Sequence, residues 1–412
     1  MLVVSVIMSG CNTEKPESMN PFLTDYATPF GVPPFDEIDN EHFIPAFEEG
    51  MKLQQAEIDA IVNNSDAATF ENTIEALDKS GELLSKVNGV FFRLRSAETN
   101  DELDSIARVI QPVLTAHGSS INLNPGLFEK VKVLYAERES LDLSEEQDMV
   151  LKKMYRRFIR GGANLEGEEK ERIKEIDKQL SMLTMQFGDN LLKETNSYQL
   201  IIENEADLAG LPESVRSAAS DAARAAGLDG NWVFTLHKPS WIPFLQYADK
   251  RELREEIYRA MFMRSNNGNE YDNNKLIPEI LELRIERARL LGYDTHAAFV
   301  LEERMSKNAD NVYDLLMQVW DPALEKAIEE ANMMQKMIDQ EGGDFKLASW
   351  DWWYYAEKIR NEKYDLDEEV VRSYFSLETV KDGLFNVVNN LYGLTFEERT
   401  DLPVYNEEVM AY

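Results

Sequence analysis

The chain has 412 residues, of which 76 are acidic and 43 are Lys or Arg, giving a formal net charge of −33. Such an acid excess repels phosphate backbones, so we predict no nucleic-acid partner. The chain is long enough for two or three domains, and its 20 Gly and 14 Pro are few, which favours long helices over a turn-rich β architecture.

Residues 1–11 are similar to the end of a bacterial lipoprotein signal. The mostly apolar run Met1–Gly10 leads into Cys11, the single Cys of the chain, and polar residues follow at once. The run is too short for a transmembrane helix, which needs about 20 apolar residues. We therefore predict lipidation at Cys11 and an extracytoplasmic location, periplasmic or anchored to the membrane. The alternative is an incidental apolar start with an inert Cys, in a cytoplasmic protein.

The next predicted elements are an extended arm and three helical regions. Residues 12–38 contain five prolines without helical periodicity, which is typical of a tether followed by an extended arm. Helical patterning begins near Asp39, and the strongest later breaks are Gly161–Gly162 and Glu341–Asp344. These breaks predict an N-terminal helical domain over residues 39–160, a helical body over residues 161–345 and a further segment over residues 346–412.

Two apolar stripes with spacings of three and four predict long amphipathic helices. The first stripe consists of Ile173, Ile176, Leu180, Leu183, Phe187 and Leu191. The second consists of Val312, Leu316, Trp320, Leu324, Ala327, Ala331, Met334 and Ile338. Pro322 interrupts the second stripe, which predicts a kink or a restart of the helix, with Asp321 as a possible N-cap.

Two short segments have β character. They are Ser197–Ile202 and Trp232–Leu236, and the Ala-rich helical stretch from Glu213 to Ala226 separates them. The two segments could pair as a small sheet. The predicted fold class is therefore mainly α, with a small inset β segment.

The order of sequence blocks between Trp232 and Met305 resembles one known family. After the strand come Pro239–Leu245, Arg251–Glu255, Tyr271–Asn273, Leu281–Arg284 and Leu290–Tyr293. This order is similar to the thimet-oligopeptidase-like zinc metallopeptidases, in particular their peptidyl-dipeptidase branch. Ile44–Glu48 and Thr69–Ile74 extend the resemblance over about residues 20–412. The resemblance implies a helical clam-shell around a deep channel that has zinc at its floor.

The zinc-binding helix of that family is not found in this sequence. Such a site needs two His four residues apart with a Glu between them. The four His are His42, His117, His237 and His296, and no two of them lie within one helical turn. In the family, the zinc helix follows the portion represented here. The resemblance implies that residues 346–412 are the truncated start of the catalytic half. We therefore predict an N-terminal portion with no catalytic or metal-binding residue of its own, and zinc only in the complete protein.

Two further groups of residues have a structural and a functional interpretation. Trp350–Tyr355 places five aromatic residues in six positions, more than one helical face can bury. They could pack between two helical layers, or one of them could contact a bound peptide. Arg251, Arg254 and Arg284 lie in family-like blocks, and we expect ion pairs from them rather than chemistry.

The sequence thus leads to two functional hypotheses. The first is a zinc metallopeptidase that acts on short peptides and releases C-terminal dipeptides, monomeric when complete, with this chain as an inactive part of its channel wall. The second is a membrane-tethered helical module that binds peptides or proteins without catalysis. The final segment Pro403–Tyr412 predicts a strand about to be paired, which favours a truncated chain. No substrate-binding residue is assigned.

Overall fold

The computed structural model describes residues 20–365 and 368–412. The predicted signal at residues 1–11, with Cys11, lies outside the described residues. The described chain is mainly helical with a small two-stranded sheet, which confirms the predicted fold class. No described helix combines the length and the apolar character that crossing a membrane requires.

The helices and strands are numbered in chain order. In the first part of the chain, the helices are α1 (Phe43–Asn63), α2 (Ala76–Lys79), α3 (Glu82–Ala97), α4 (Asp101–Asn122), α5 (Pro125–Glu137), α6 (Glu145–Arg160) and α7 (Gly167–Ser197). The middle part contains β1 (Leu200–Ile202), α8 (Glu213–Ala225), β2 (Trp232–Phe234), α9 (Lys238–Tyr247), α10 (Arg251–Phe262), α11 (Leu276–Leu290) and α12 (His296–Leu301). The last helices are α13 (Ala309–Gln340), α14 (Trp352–Tyr364), α15 (Glu368–Arg372) and α16 (Leu377–Tyr392).

The chain forms two compact units. Unit 1 contains the described residues up to Lys178 together with Phe396–Tyr412, and unit 2 contains Gln179–Thr395. The domain boundaries predicted after residues 160 and 345 stay predictions.

In unit 1, α1 packs against α3, α4 and α5. Gly50 allows the close approach of α1 to α3, because a Cβ at this position would come within 3.0 Å of the Leu84 backbone. Next to this crossing, Phe43, Phe47 and Phe91 are almost fully buried, and their rings meet at centroid distances of 5.0 and 5.4 Å. Aromatic packing of this kind stabilises the contact beyond the area that it buries.

Polar side chains fix where the helices of unit 1 begin. The Asn100 side chain accepts the amide hydrogen of Leu103 at 2.9 Å, and Asn124 does the same for Leu127 at 3.1 Å. Ser144 and Gln147 form a reciprocal capping box at the start of α6. These bonds satisfy backbone donors that have no partner within the helix.

In unit 2, the two predicted β segments pair as expected. β1 and β2 run antiparallel, with Leu200 opposite Phe234 and Ile202 opposite Trp232. Leu200 and Ile202 are buried and Ile201 is exposed, which is the alternation of a strand with one face on a core. α8 lies between the strands in sequence, as predicted, and packs against β2.

Both predicted long helices are present as α7 and α13. Of the kink or restart predicted at Pro322, the restart is wrong, because α13 continues from Ala309 to Gln340 and its N-cap is Asn308 rather than Asp321. The kink stays a prediction. Proline removes one backbone donor and leaves the carbonyl four residues before it without a partner. Residues 317–325 of α13 are all exposed, so water can satisfy that carbonyl and the helix need not end.

The predicted strand at Pro403–Tyr412 is also wrong. In this segment the structure has turns and a single antiparallel bridge between Arg399 and Ala411. One bridge contributes too few ladder hydrogen bonds to order an extended strand.

Candidate functional site

A buried carboxylate connects the elements of unit 2 that carry the family-like blocks. Asp351 is completely buried and ends a 3₁₀ turn before α14. It accepts hydrogen bonds from Arg251 Nη2 at 2.9 Å and from Arg254 Nη2 at 3.0 Å. Both arginines lie in the first turn of α10, so one carboxylate joins α10 to α14. The ion pairing predicted for Arg251 and Arg254 is thereby found.

Further polar contacts complete this network. Arg254 is only 1% exposed and donates to the carbonyl oxygens of Ala248 at 2.7 Å and Asp249 at 3.1 Å. The Tyr354 hydroxyl donates to the Asp249 carboxylate at 2.8 Å. Burial is the main reason why the pKa of Tyr354 is raised, so the hydroxyl stays protonated and able to donate. Since the charges pair with each other inside the protein, the network positions α14 and offers no free base or nucleophile.

The aromatic block Trp350–Tyr355 packs between two cores of unit 2. Trp353 meets Trp241 of α9 edge to face at 5.8 Å, on the core formed by the sheet, α8 and α9. Tyr354 and Tyr355 instead join Met334 and Ile338 of α13 in a second core. The packing interpretation therefore explains these aromatics, and they do turn towards two surfaces.

A buried glutamate organises the Asn-rich loop between α10 and α11. The Glu194 carboxylate accepts hydrogen bonds from the Ser265 amide and from the Asn267 and Asn269 side chains, the last two at 2.8 and 2.7 Å. Burial alone would raise the pKa of Glu194, but these hydrogen bonds outweigh it and the pKa lies below its ordinary value. The carboxylate therefore holds the loop as an anion.

The four histidines lie at separate places in the described structure. His117 Nε2 is 2.7 Å from Gln54 Oε1, and His237 contacts Thr235 and Asn196. Burial lowers the pKa of His117, and burial together with Arg284 and Arg287 lowers the pKa of His296. Among the described residues, neither His117 nor His296 belongs to a group of potential metal ligands.

One group of potential metal ligands occurs among the described residues. Ligand atoms of Asp39, Glu41 and His42 lie within 4.8 Å of one another. However, Asp39 and His42 form a capping box at the helix start, with the Asp39 amide donating to His42 Nδ1 at 2.9 Å. The group also lacks the two imidazoles of the family's zinc site. The described residues therefore do not fit that zinc, and the predicted absence of zinc binding by this chain stays a prediction.

Two helices of unit 2 expose apolar side chains in rows. On α16, the α16 seam consists of Leu377, Val380, Leu384, Val387 and Leu391, each between 47% and 70% exposed. Its spacing of three and four residues is that of a helix that packs along another helix. On α13, Tyr313, Leu316, Trp320 and Leu324 are between 43% and 60% exposed. Exposed apolar rows of this size mark surfaces that bind other protein segments.

Asp351, Glu194 and the α16 seam were not predicted from the sequence. Asp351 is hidden among aromatic residues, and Glu194 is one acid among 76, so no pattern distinguishes either. The α16 seam could have been found, because its heptad spacing is visible in the sequence. Its exposure could not, since an apolar stripe normally indicates a buried face.

The chain is similar in sequence to known peptidases. Residues 244–412 match the model of peptidase family M3. The chain is 37% identical to the dipeptidyl carboxypeptidase of Escherichia coli, over 96% of this chain and 58% of that protein. It is 32% identical to oligopeptidase A of Haemophilus influenzae, over 93% of this chain and 56% of that protein. It is 24% identical to the thimet-like oligopeptidase of Dictyostelium discoideum, over 90% of this chain and 55% of that protein.

The chain thus spans somewhat more than half the length of these relatives, at 55% to 58%. The matched family region contains α10, α14, Arg251, Arg254 and Asp351. The predicted resemblance to the thimet-oligopeptidase-like peptidases is thereby confirmed, with residues 244–412 matching peptidase family M3.

Proposed function

We propose that the complete protein is a zinc metallopeptidase that acts on short peptides and releases dipeptides from their C-termini. The observation that carries the proposal is the 37% identity, over 96% of this chain, to a protein named dipeptidyl carboxypeptidase. The choice of dipeptide release over internal cleavage rests on this relative, because the relatives named oligopeptidase A are less similar, at 32%. Zinc belongs to the complete protein and is assigned to no residue of this chain.

In this proposal, the chain contributes positioning and not chemistry. The buried pairs of Asp351 with Arg251 and Arg254 fix α10 against α14. Rigid helices of this kind can form one wall of a channel that admits extended peptides and excludes folded proteins. The α16 seam and the exposed row on α13 supply apolar surface for further segments of the protein to cover.

The proposed activity can be tested on a protein that contains this chain followed by the remaining length of its relatives. An unblocked short peptide should lose C-terminal dipeptides, and a chelator should stop the reaction. The same peptide with an amidated C-terminus should be cleaved much more slowly, because an enzyme that releases C-terminal dipeptides recognises the free carboxylate of the peptide. Internal cleavage of both peptides at equal rates would instead support oligopeptidase action.

The alternative is a peptide- or protein-binding module without catalysis. It is favoured by one observation, namely that the described residues offer no donor set that fits the family's zinc. Binding of the intact peptide by the longer protein, without any turnover at added zinc, would support this alternative and contradict the peptidase.

We also propose that Cys11 carries acyl chains that tether the protein on the extracytoplasmic side of a bacterial membrane. The support is the sequence alone, where an apolar run leads into Cys11 and polar residues follow. Since one acyl chain binds a membrane only weakly, the proposal implies more than one chain.

A further inference from the structure

Unit 1 contains a groove whose size suits a small organic molecule. The α3 groove, of about 740 Å³, lies between α3 and two other segments of the chain. Its wall on α3 includes Lys86, Gly89 and Arg93, and its other walls include Phe35 and Tyr405. Sites for small ligands in proteins commonly measure about 300 to 1,000 Å³.

The charge of the groove is opposite to the charge of the chain. The chain has 76 acidic and 43 basic residues, yet the lining contains Lys86 and Arg93 and no acidic side chain. Asp25 and Glu82 act on Lys86 from outside the lining. The α3 groove is therefore a local cationic site on a strongly anionic protein, and it favours an anion over a cation.

The two cations differ in how firmly they are held. Lys86 Nζ donates to the carbonyl oxygens of Thr24 at 2.6 Å and Phe22 at 3.2 Å, and it lies 3.8 Å from the centre of the Tyr26 ring. Arg93 is exposed, and no described residue forms an ion pair with it. Lys86 thus has a structural role, while the guanidinium of Arg93 has its donors available for a ligand.

The rest of the lining is largely apolar. Phe35 and Tyr405 meet edge to face at 5.6 Å, and Val90 and Leu94 of α3 also line the groove. Burial raises the pKa of Tyr26, which also lines it, to about 12, so this residue adds no negative charge. An apolar cleft with one available cation suits a molecule that has one anionic end and one apolar end.

We propose that the α3 groove binds a small carboxylate with an aromatic or short aliphatic body, with the carboxylate paired to Arg93 and the body packed against the wall that Phe35 and Tyr405 form. A guanidinium binds a carboxylate through two parallel hydrogen bonds, which fixes the orientation of the ligand. The proposal goes beyond the proposed peptidase activity and does not depend on it, because the α3 groove lies within unit 1.

The first test compares two probes with the same body and opposite charge, 4-phenylbutyrate and 4-phenylbutylamine, by calorimetric titration of the 412-residue chain. The carboxylate should bind and the amine should not. Arg93→Gln should weaken binding of the carboxylate on the order of tenfold. Equal binding of both probes, no binding of the carboxylate, or unchanged affinity in Arg93→Gln would each overturn the proposal.

The second test fills the α3 groove without straining the backbone. A Cβ at Gly89, inside α3, would meet no atom within 4 Å, so Gly89→Leu places a side chain in open groove space. Gly118→Leu is the matched control, because Gly118 lies inside α4 with equally open surroundings and does not line the groove. Gly89→Leu should abolish binding while both variants keep the wild-type melting temperature or exceed it. Unchanged binding in Gly89→Leu, or equal loss in both variants, would contradict the assignment.

Discussion

At the scale of single residues, Asp351 has the largest predicted effect on stability. Its carboxylate accepts from Arg251 and Arg254, and Asp351 and Arg254 are both buried. Asp351→Asn keeps the shape of the side chain and removes its charge, which leaves the buried guanidinium of Arg254 without its anionic partner. We expect the free energy of unfolding to fall by about 3 kcal/mol. Urea denaturation measures this, with exposed Asp344→Asn as a control that should change it little. If both variants had the same free energy of unfolding, the charge of Asp351 would not contribute to the stability of the fold.

Glu194 gives unit 2 a predicted pH dependence. Its pKa in the folded protein lies below the ordinary value, although burial opposes this, because Asn267, Ser265 and Asn269 donate to the carboxylate. The stabilisation is therefore fully present above the unfolded pKa and is lost as the pH falls through the folded pKa. Glu194→Gln should be less stable than wild type near neutral pH, and the difference should shrink in acid. Urea denaturation across this pH range measures it, and a difference independent of pH would contradict the role of the charge.

These two residues also show what a single sequence cannot reveal. Ion pairs of Arg251 and Arg254 were predicted without a named partner, since arginines on helices usually form ion pairs. Their partner Asp351 lies about 100 residues away in sequence, and no local pattern connects positions so far apart. Glu194 likewise accepts hydrogen bonds from Ser265 and Asn267, which lie more than 70 residues away in sequence. Contacts of this range follow from the tertiary fold and not from periodicity.

At the scale of elements, periodicity predicted most of what the structure has. The stripe from Ile173 to Leu191 lies on α7, and the β segments pair as β1 and β2. The two errors have local causes. Pro322 did not end α13, because its surroundings are exposed, and Pro403–Tyr412 did not form a strand, because it has a single bridge and not a ladder.

The α16 seam provides the prediction at this scale. Because its apolar side chains are exposed, the 412-residue chain should associate with itself in solution. Leu384→Lys places a charge in the middle of the seam and should reduce the associated fraction. Asn386→Lys adds the same charge on a different face of α16 and should leave it unchanged. Light scattering after size-exclusion chromatography measures both, and an equal response to the two substitutions would show that the seam is not the contact surface.

At the scale of the whole molecule, the proposed acylation of Cys11 makes a prediction about the location of the protein. If the chain is acylated there, the protein expressed in a bacterium should sediment with the membranes, and detergent should release it. Cys11→Ser should move the protein to the soluble fraction. Cys11→Ala should have the same effect, because neither side chain has a thiol that can be acylated. Membrane association that survives both substitutions would contradict the tether.

For the whole molecule, we propose that this chain forms a helical wall and that residues outside it hold the zinc. The most direct test is the zinc content of the purified 412-residue chain after dialysis, measured by elemental analysis together with dipeptide release from an unblocked peptide. We predict zinc far below one equivalent and no chelator-sensitive release. One tightly bound zinc per chain, together with release of dipeptides, would show that the zinc ligands lie within these 412 residues.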